Sequence, residues 1–252
     1  MKNKFFNNYS LINVYKDKSH SSDLVTQMLY GEKFKVIKKY GKWLKIKLYQ
    51  DNYKGYIVKK KFLSKFNYDY KVSSLKANIY STPSYKNIIK EKLPFSARIT
   101  FFEKKESFIR FDKKKWIQKS DIIRNEHKIK NIFSKIKMFE KTKYLWGGKS
   151  YKGIDCSALI QLFYNFNKIY FPRDSFDQHK FIKKKIKISN IKKNDLLFWK
   201  GHVAIALSKK NLIHAYGPKK KVVIMNINKT LKIIKKTSNL NLISIKRFNY
   251  EN

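Results

Sequence analysis

The sequence predicts an α+β protein in which two small β-barrels precede a domain made of a helix followed by an antiparallel sheet. Three observations predict it. Short alternating strands punctuated by glycines fill the first half of the chain. Their pattern returns at an offset of 65 residues. In the second half, a glycine-rich turn, a helical run and a series of apolar strands follow one another in that order.

From Val14 to Leu63, Phe34 and Val36, then Leu44, Ile46 and Leu48, alternate with lysines, and Gly31, Gly41 and Gly55 mark turns. Shifted by 65 residues, Asn13-Val14-Tyr15 falls on Asn78-Ile79-Tyr80, Phe34-Lys35-Val36 on Ile99-Thr100-Phe101, and Trp43-Leu44-Lys45-Ile46 on Phe108-Ile109-Arg110-Phe111. The repeat places two barrels at residues 10–65 and 70–123. Residues 124–143 form a lysine-rich linker, whose Ile129, Ile132, Phe133, Ile136 and Phe139 fit a helix; a third domain occupies residues 144–252.

That third domain is organised around Cys156, the only cysteine in the chain. It follows a glycine-rich turn and precedes Leu159, Ile160, Phe163 and Phe166 at helical spacing, so it stands at a helix start. The free N–H groups and partial positive charge there are expected to lower the thiol pKa. Phe171-Pro172-Arg173-Asp174-Ser175 reads as a loop, and Asn194-Asp195 as a turn. Strands are expected at Leu196–Trp199, His202–Leu207, Leu212–Tyr216 and Val222–Ile227, with Ile243–Phe248 closing the sheet. His202 and His214, on adjacent strands, supply a base and a residue to orient it. Each piece has a plainer reading: a lone cysteine before an apolar helix is often a small buried hydrophobe, and strand histidines are often structural. Cysteine with two histidines could also ligate a metal, although no second cysteine or carboxylate stands at ligand spacing. His20, His127 and His179 read as surface residues.

Lysine and arginine number 59 against 17 acidic residues, a formal net charge of +42. Such a charge suits a polyanionic partner. Yet only five of the 59 are arginine, and the lysines run along the whole chain beside abundant Asn and Ile, as A/T-biased codons would produce. Specific nucleic-acid recognition favours arginine, so no such partner is expected. One cysteine excludes an intramolecular disulfide and a thiolate-rich zinc site, and no cofactor is expected. Met1–Tyr15 contains no apolar run of signal-peptide length, and no window approaches a membrane span, so a soluble, cytoplasmic protein is expected.

Six pieces in order, Tyr144-Leu-Trp-Gly-Gly, Gly153-Ile-Asp-Cys-Ser, Pro172-Arg-Asp-Ser-Phe-Asp-Gln178, Asp195-Leu-Leu-Phe-Trp, Gly201-His202-Val and Ile213-His214-Ala, make residues 140–250 resemble the NlpC/P60 cysteine peptidases, which have a papain-like core. Leu29-Tyr30-Gly31-Glu32 and Asp51-Asn-Tyr-Lys-Gly-Tyr56 resemble turns of bacterial SH3-like domains. Together the layout is similar to γ-D-glutamyl-L-diamino acid endopeptidases that trim murein peptides. The resemblance implies Cys156 as nucleophile, His202 as base, His214 as the third polar residue and Tyr144 as an oxyanion donor. It also implies Asp155, Ser157 and Ser175 as contacts for the peptide's free amine and D-glutamate carboxylate, although Asp155 reads equally as a helix cap and Ser157 as a first-turn residue. Tyr53 and Glu32 of the first barrel are the candidates to close the cleft beyond the substrate's N-terminus. The substrate implied is a murein peptide with a free N-terminal L-Ala, met in recycling. A non-catalytic wall-binding protein and an acyltransferase or amidase on the same core are the alternatives. The chain departs from the family pattern at Ala158, where glycine is usual, and at Asn194, which replaces glycine before Asp195.

Overall fold

The computed structural model describes residues 4–249. The chain divides into two compact units: Met1–Ile129 with Gly147–Tyr151, and Lys130–Trp146 with Lys152–Asn252.

The first unit is β throughout. Its opening sheet has strands β1 (Lys4–Phe6), β2 (Leu11–Tyr15), β3 (Leu24–Leu29), β4 (Lys33–Tyr40), β5 (Trp43–Leu48) and β6 (Lys54–Val58), in the order β1-β4-β5-β6-β2-β3. One face buries Ile12, Val14, Met28, Phe34, Val36, Leu44, Ile46, Leu48 and Ile57, while on β4, β5 and β6 lysines stand on the other. The next strands are β7 (Tyr70–Val72), β8 (Lys76–Tyr80), β9 (Ile88–Pro94), β10 (Arg98–Ile99), β11 (Glu103–Lys105), β12 (Phe108–Asp112), β13 (Lys115–Gln118) and β14 (Ile122–Arg124). They form a five-stranded sheet, β11-β12-β13-β8-β9, and a three-stranded one, β10-β7-β14.

The repeat has a topological counterpart. The order β4-β5-β6-β2-β3 in the first sheet corresponds strand for strand to β11-β12-β13-β8-β9 in the second. At the 65-residue offset, β4 falls on residues 98–105, where the second copy is broken into β10 and β11.

The Leu29-Tyr30-Gly31-Glu32 turn ties this unit together. The Tyr30 ring lies edge-on to Phe111 in the core of the second copy, and Arg98 donates its backbone N–H to Tyr30 O at 2.9 Å. Gly31 has φ +80°, and a Cβ there would stand 2.4 Å from Arg98 O. Glu32 is buried: Oε1 receives Lys149 Nζ at 2.7 Å, and Oε2 receives the Leu29 N–H at 2.9 Å. Lys149 is buried too, and its own N–H donates to Gln27 Oε1. A buried ion pair of this kind holds only with both partners present.

In the second unit, residues 131–142 do not form the helix that their apolar spacing predicts. Ser134, Ile136, Met138, Glu140 and Thr142 each donate to the carbonyl three residues back, and the only regular piece is a 3-10 turn at Ile136–Phe139. The physical reason is visible in the burial. Phe133, Ile136, Phe139 and Thr142 are buried at a period of three, which is the 3-10 period and not the α period.

The strands β15 (Lys149–Ser150) and β16 (Gly153–Ile154) precede helix α1 (Cys156–Phe166). Every residue of α1 is buried, so the helix is a core element. Its Phe163 and Tyr164 pack on Phe133, and Tyr164 stacks on Phe171 at 4.2 Å. The loop expected at Phe171–Ser175 is present over residues 171–174, and helix α2 (Ser175–Phe181) starts at its last residue. The sheet comprises β17 (Lys185–Ile186), β18 (Leu196–Trp199), β19 (His202–Ala206), β20 (Asn211–Tyr216), β21 (Lys221–Asn226) and β22 (Ser244–Lys246), ordered β17-β22-β18-β19-β20-β21. Helix α3 (Ile227–Ser238), capped by Asn226, packs Ile227 and Ile234 into the same core as Leu197, Trp199 and Leu212. Asn194 has φ +74°, the left-handed geometry that glycine would otherwise supply. Among the described residues no helix is long and apolar enough to cross a membrane.

The Gly31 turn generates a stability prediction. Gly31→Ala forces a strained φ and a Cβ into a backbone carbonyl, and should cost about 2–4 kcal/mol in urea unfolding. An unchanged midpoint would show that the turn is not under this constraint.

Candidate active site

Helix α1 positions Cys156. Asp155 is its N-cap in extended conformation, and Asp155 Oδ1 accepts the Ala158 N–H at 2.8 Å and the Ser157 hydroxyl at 3.1 Å. The carboxylate is held from the other side by Arg173. Its Nη1 donates to Asp155 Oδ1 at 3.0 Å and its Nη2 to Oδ2 at 2.6 Å, while Nη1 also reaches Ser157 Oγ at 3.0 Å. Arg173 is 3% exposed, so this is a buried, forked ion pair next to the thiol. Gln178 on α2 completes the clamp by donating to Ser157 O at 3.0 Å and Pro172 O at 2.9 Å. The sequence places Arg173 and Gln178 in the Pro172–Gln178 piece without assigning either a role. The signal was there: in a chain with 54 lysines, an arginine marks a place where a fork is needed. Ala158, the departure from the usual glycine, is fully buried in the first turn of α1.

The sheet positions the histidines. His202 begins β19, and the N–H of the next residue, Val203, reaches the Cys156 sulfur. His202 Nε2 lies 2.8 Å from His214 Nδ1 on β20. His214 stacks on Tyr216, with centroids 4.7 Å apart and planes at 9°, because residues two apart on a strand share a face. His214 Nε2 lies 3.5 Å from Met225 Sδ on β21. A thioether can only accept, so this contact assigns the proton to His214 Nε2. His214 Nδ1 is then the acceptor for His202 Nε2–H, and His202 Nδ1 carries a lone pair. Met225 was also invisible in the sequence, since only the β20–β21 register makes it a diagonal neighbour of His214.

The electrostatics correct one expectation. The thiol pKa is not lowered; it is pushed up to about 12, by burial first and then by the Asp155 charge. The N–H groups of Val203 and Ser157 and the Arg173 charge pull in the expected direction but do not outweigh burial. Burial likewise lowers His202 from the ordinary 6.5 to about 4, and burial, with the neighbouring His202 and Lys219, holds His214 well below the ordinary value. The resting pair is therefore a neutral thiol and a neutral imidazole, and their charges must form together. Tyr144, before β15, has its phenol pKa raised by burial and by the nearby Cys156 and Asp155 charges, so it stays a protonated donor. Its ring lies against Gly217, where a Cβ would be 3.7 Å away.

The remaining candidates divide. Ser175 is the first residue of α2 and partly exposed. Tyr53 and Glu32 lie in the first unit: Tyr53 donates its N–H to Asp51 Oδ1 at 3.0 Å, and Glu32 is engaged by Lys149. His20 and His127 are exposed, as expected. His179, expected to be exposed, is instead half-buried, with Nε2 2.9 Å from Ser244 Oγ and its ring against Phe198, because α2 lies over β22 and β18. Among the described residues no group of three or more His, Cys, Asp or Glu side chains is placed to hold a metal ion.

A helix-borne thiol with a histidine pair on the neighbouring antiparallel sheet suits a cysteine peptidase. Residues 141–238 match the NlpC/P60 family and residues 14–62 the bacterial dipeptidyl-peptidase SH3 domain, so the chain carries an NlpC/P60 domain preceded by a bacterial SH3 domain. Among its relatives is the gamma-D-glutamyl-L-lysine dipeptidyl-peptidase of Bacillus cereus, 26% identical over 243 residues, covering 83% of this chain and 72% of that protein. Dipeptidyl-peptidase 6 of Lysinibacillus sphaericus is 40% identical over 85 residues, 34% of this chain, and the match spans only 31% of that relative's length. The crystal structure of an NlpC/P60 family protein from Bacillus cereus has the same fold, with a TM-score of 0.81 at 21% identity over 97% of this chain and 99% of that one.

Two predictions follow from the buried charges. Arg173→Ala leaves the Asp155 carboxylate without its counter-ion and should destabilise the protein by about 3–5 kcal/mol in urea unfolding, with Arg173→Lys recovering only part of it. His202 binds its proton less well folded than unfolded. Its contribution to stability is therefore complete above pH 6.5 and is lost as pH falls towards about 4. Urea midpoints at pH 7 and 4.5 should show that fall, and His202→Gln should make it shallower; an unchanged slope in the variant would count against a buried neutral His202.

Proposed function

We propose that this chain hydrolyses the γ-D-glutamyl–diamino-acid bond of murein peptides bearing a free N-terminal L-Ala, in peptidoglycan turnover. The observation that carries the reading is the 2.8 Å His202–His214 contact at the start of the strand whose next N–H reaches the Cys156 sulfur. It supplies base and orienter for the only cysteine in the chain.

In this reading, His202 Nδ1 takes the thiol proton as Cys156 Sγ attacks the D-glutamyl side-chain carbonyl. The oxyanion is held by the Cys156 backbone N–H and the Tyr144 hydroxyl. His202 gives the proton to the departing amine of the diamino acid, leaving a thioester. Water, deprotonated by His202, then attacks the thioester, and the thiol recovers its proton. His214 keeps the His202 ring in the required tautomer. Asp155 and Ser157, fixed by Arg173, and Ser175 at the head of α2 take the peptide's amine and carboxylate. The relatives named for a γ-D-glutamyl-L-lysine bond favour lysine as the diamino acid. Glu32 stands outside this assignment, since its carboxylate serves Lys149.

The test is mass spectrometry of products from L-Ala-γ-D-Glu-L-Lys. The wild-type protein should release L-Ala-D-Glu and lysine, and Cys156→Ala should lose at least about a thousandfold in rate. Equal release by the variant would sink the mechanism. Transfer of the dipeptide to an added amine in preference to water would make the chain an acyltransferase.

A further inference from the structure

The first sheet carries a feature that neither the peptidase chemistry nor the average composition accounts for. Across four neighbouring strands, Lys4 on β1 lies opposite Lys35 on β4, Lys35 opposite Lys47 on β5, and Lys47 opposite Lys54 on β6. Directly opposed residues share a face, and the flanking Phe34, Val36, Ile46, Leu48 and Gly55 are buried, so all four ammonium stems stand on the outer face. A second row follows on that face: Lys38 opposite Lys45, and Lys45 opposite Tyr56. Like charges directly opposed across strands are destabilising.

Composition does not explain the pattern. The six strands of this sheet contain no Asp or Glu at all, and none of these lysines has a carboxylate partner among the described residues. The second sheet, drawn from the same lysine-rich chain, intersperses Glu91, Glu103 and Asp112 with its basic residues and forms the pairs Lys115–Glu91 and Arg110–Glu103. Tyrosines also hold the lysines of the first sheet in place: Lys45 lies over Tyr56 at 5.6 Å, Lys38 over Tyr40 at 5.2 Å and Lys4 over Tyr49 at 6.0 Å.

We propose that the outer face of the first sheet is a docking strip for a flexible linear phosphate polymer. The strip is about 14 Å long at the usual strand spacing and only two rows wide, a shape for a chain and not for a plane of headgroups. No arginine occurs before Arg98, so the face offers point charges without the forks that read bases. The unpaired cross-strand charges are the complement of a phosphate chain laid across β1, β4, β5 and β6.

The experiment measures binding of medium-chain inorganic polyphosphate to the full chain across salt concentrations. Lys35→Gln/Lys47→Gln removes the centre of the strip. Lys209→Gln/Lys210→Gln, on an exposed turn, removes the same charge elsewhere. The strip variant should bind roughly tenfold more weakly near physiological salt, with a salt slope shallower by about 1.4. Its melting temperature should be no lower than that of the wild type, since an opposed like-charge pair is gone. The control should bind almost as the wild type does. Equal weakening in both variants would overturn the proposal in favour of unspecific attraction by net charge. Binding to phosphatidylserine vesicles or duplex DNA that exceeds polyphosphate binding and depends on the same two lysines would overturn the choice of partner.

Discussion

The forked pair between Asp155 and Arg173 is the contact on which the catalytic unit depends. Asp155 caps α1, and that cap places the Cys156 thiol by the start of β19. A cap carboxylate beside a nucleophilic thiol is electrostatically unhelpful, because it opposes thiolate formation. Arg173 resolves the conflict by neutralising Asp155 through two oxygens while holding Ser157 with the same nitrogen. Lysine could match the charge but not the three contacts.

Burial then sets how the thiol can react. With the thiol pushed up and both imidazoles pushed down, no stable ion pair exists in the resting protein. In the proposed mechanism, proton transfer to His202 therefore accompanies attack on the carbonyl. This makes the direction of the histidine relay important. Met225, as a pure acceptor behind His214, aligns each proton away from the thiol and leaves His202 Nδ1 free to take one.

Arginine use in this chain is selective. Arg173, Arg247 and Arg110 make two-pronged pairs with Asp155, Asp195 and Glu103, while Arg98 and Arg124 stack on Tyr68 and Tyr70. All five arginines thus occupy places where a planar, forked cation does what an ammonium cannot. Where only solvation or a point charge is required, the chain has lysine.

Periodicity and residue type by themselves determined the order of strands and helix and the 65-residue repeat, and singled out Cys156, His202 and His214 as candidates. These are carried by local patterns: alternation for strands, a capped apolar run for α1, and glycine or asparagine at turns such as Asn194. Helix α3 also left such a pattern, Asn226 followed by Leu231 and Ile234, although it went unread. What only the tertiary structure decided are relations between distant segments. The period-three burial of Phe133, Ile136 and Phe139 replaced a helix with successive 3-10 turns because the packing partner is α1. The same holds for Arg173, Gln178 and Met225, which act through partners far away in sequence, and for the lysine row, which exists only in the register of four strands. The sign of the Cys156 pKa shift belongs here too: a helix start alone predicts a lowered value, and the depth at which the fold buries the thiol reverses it.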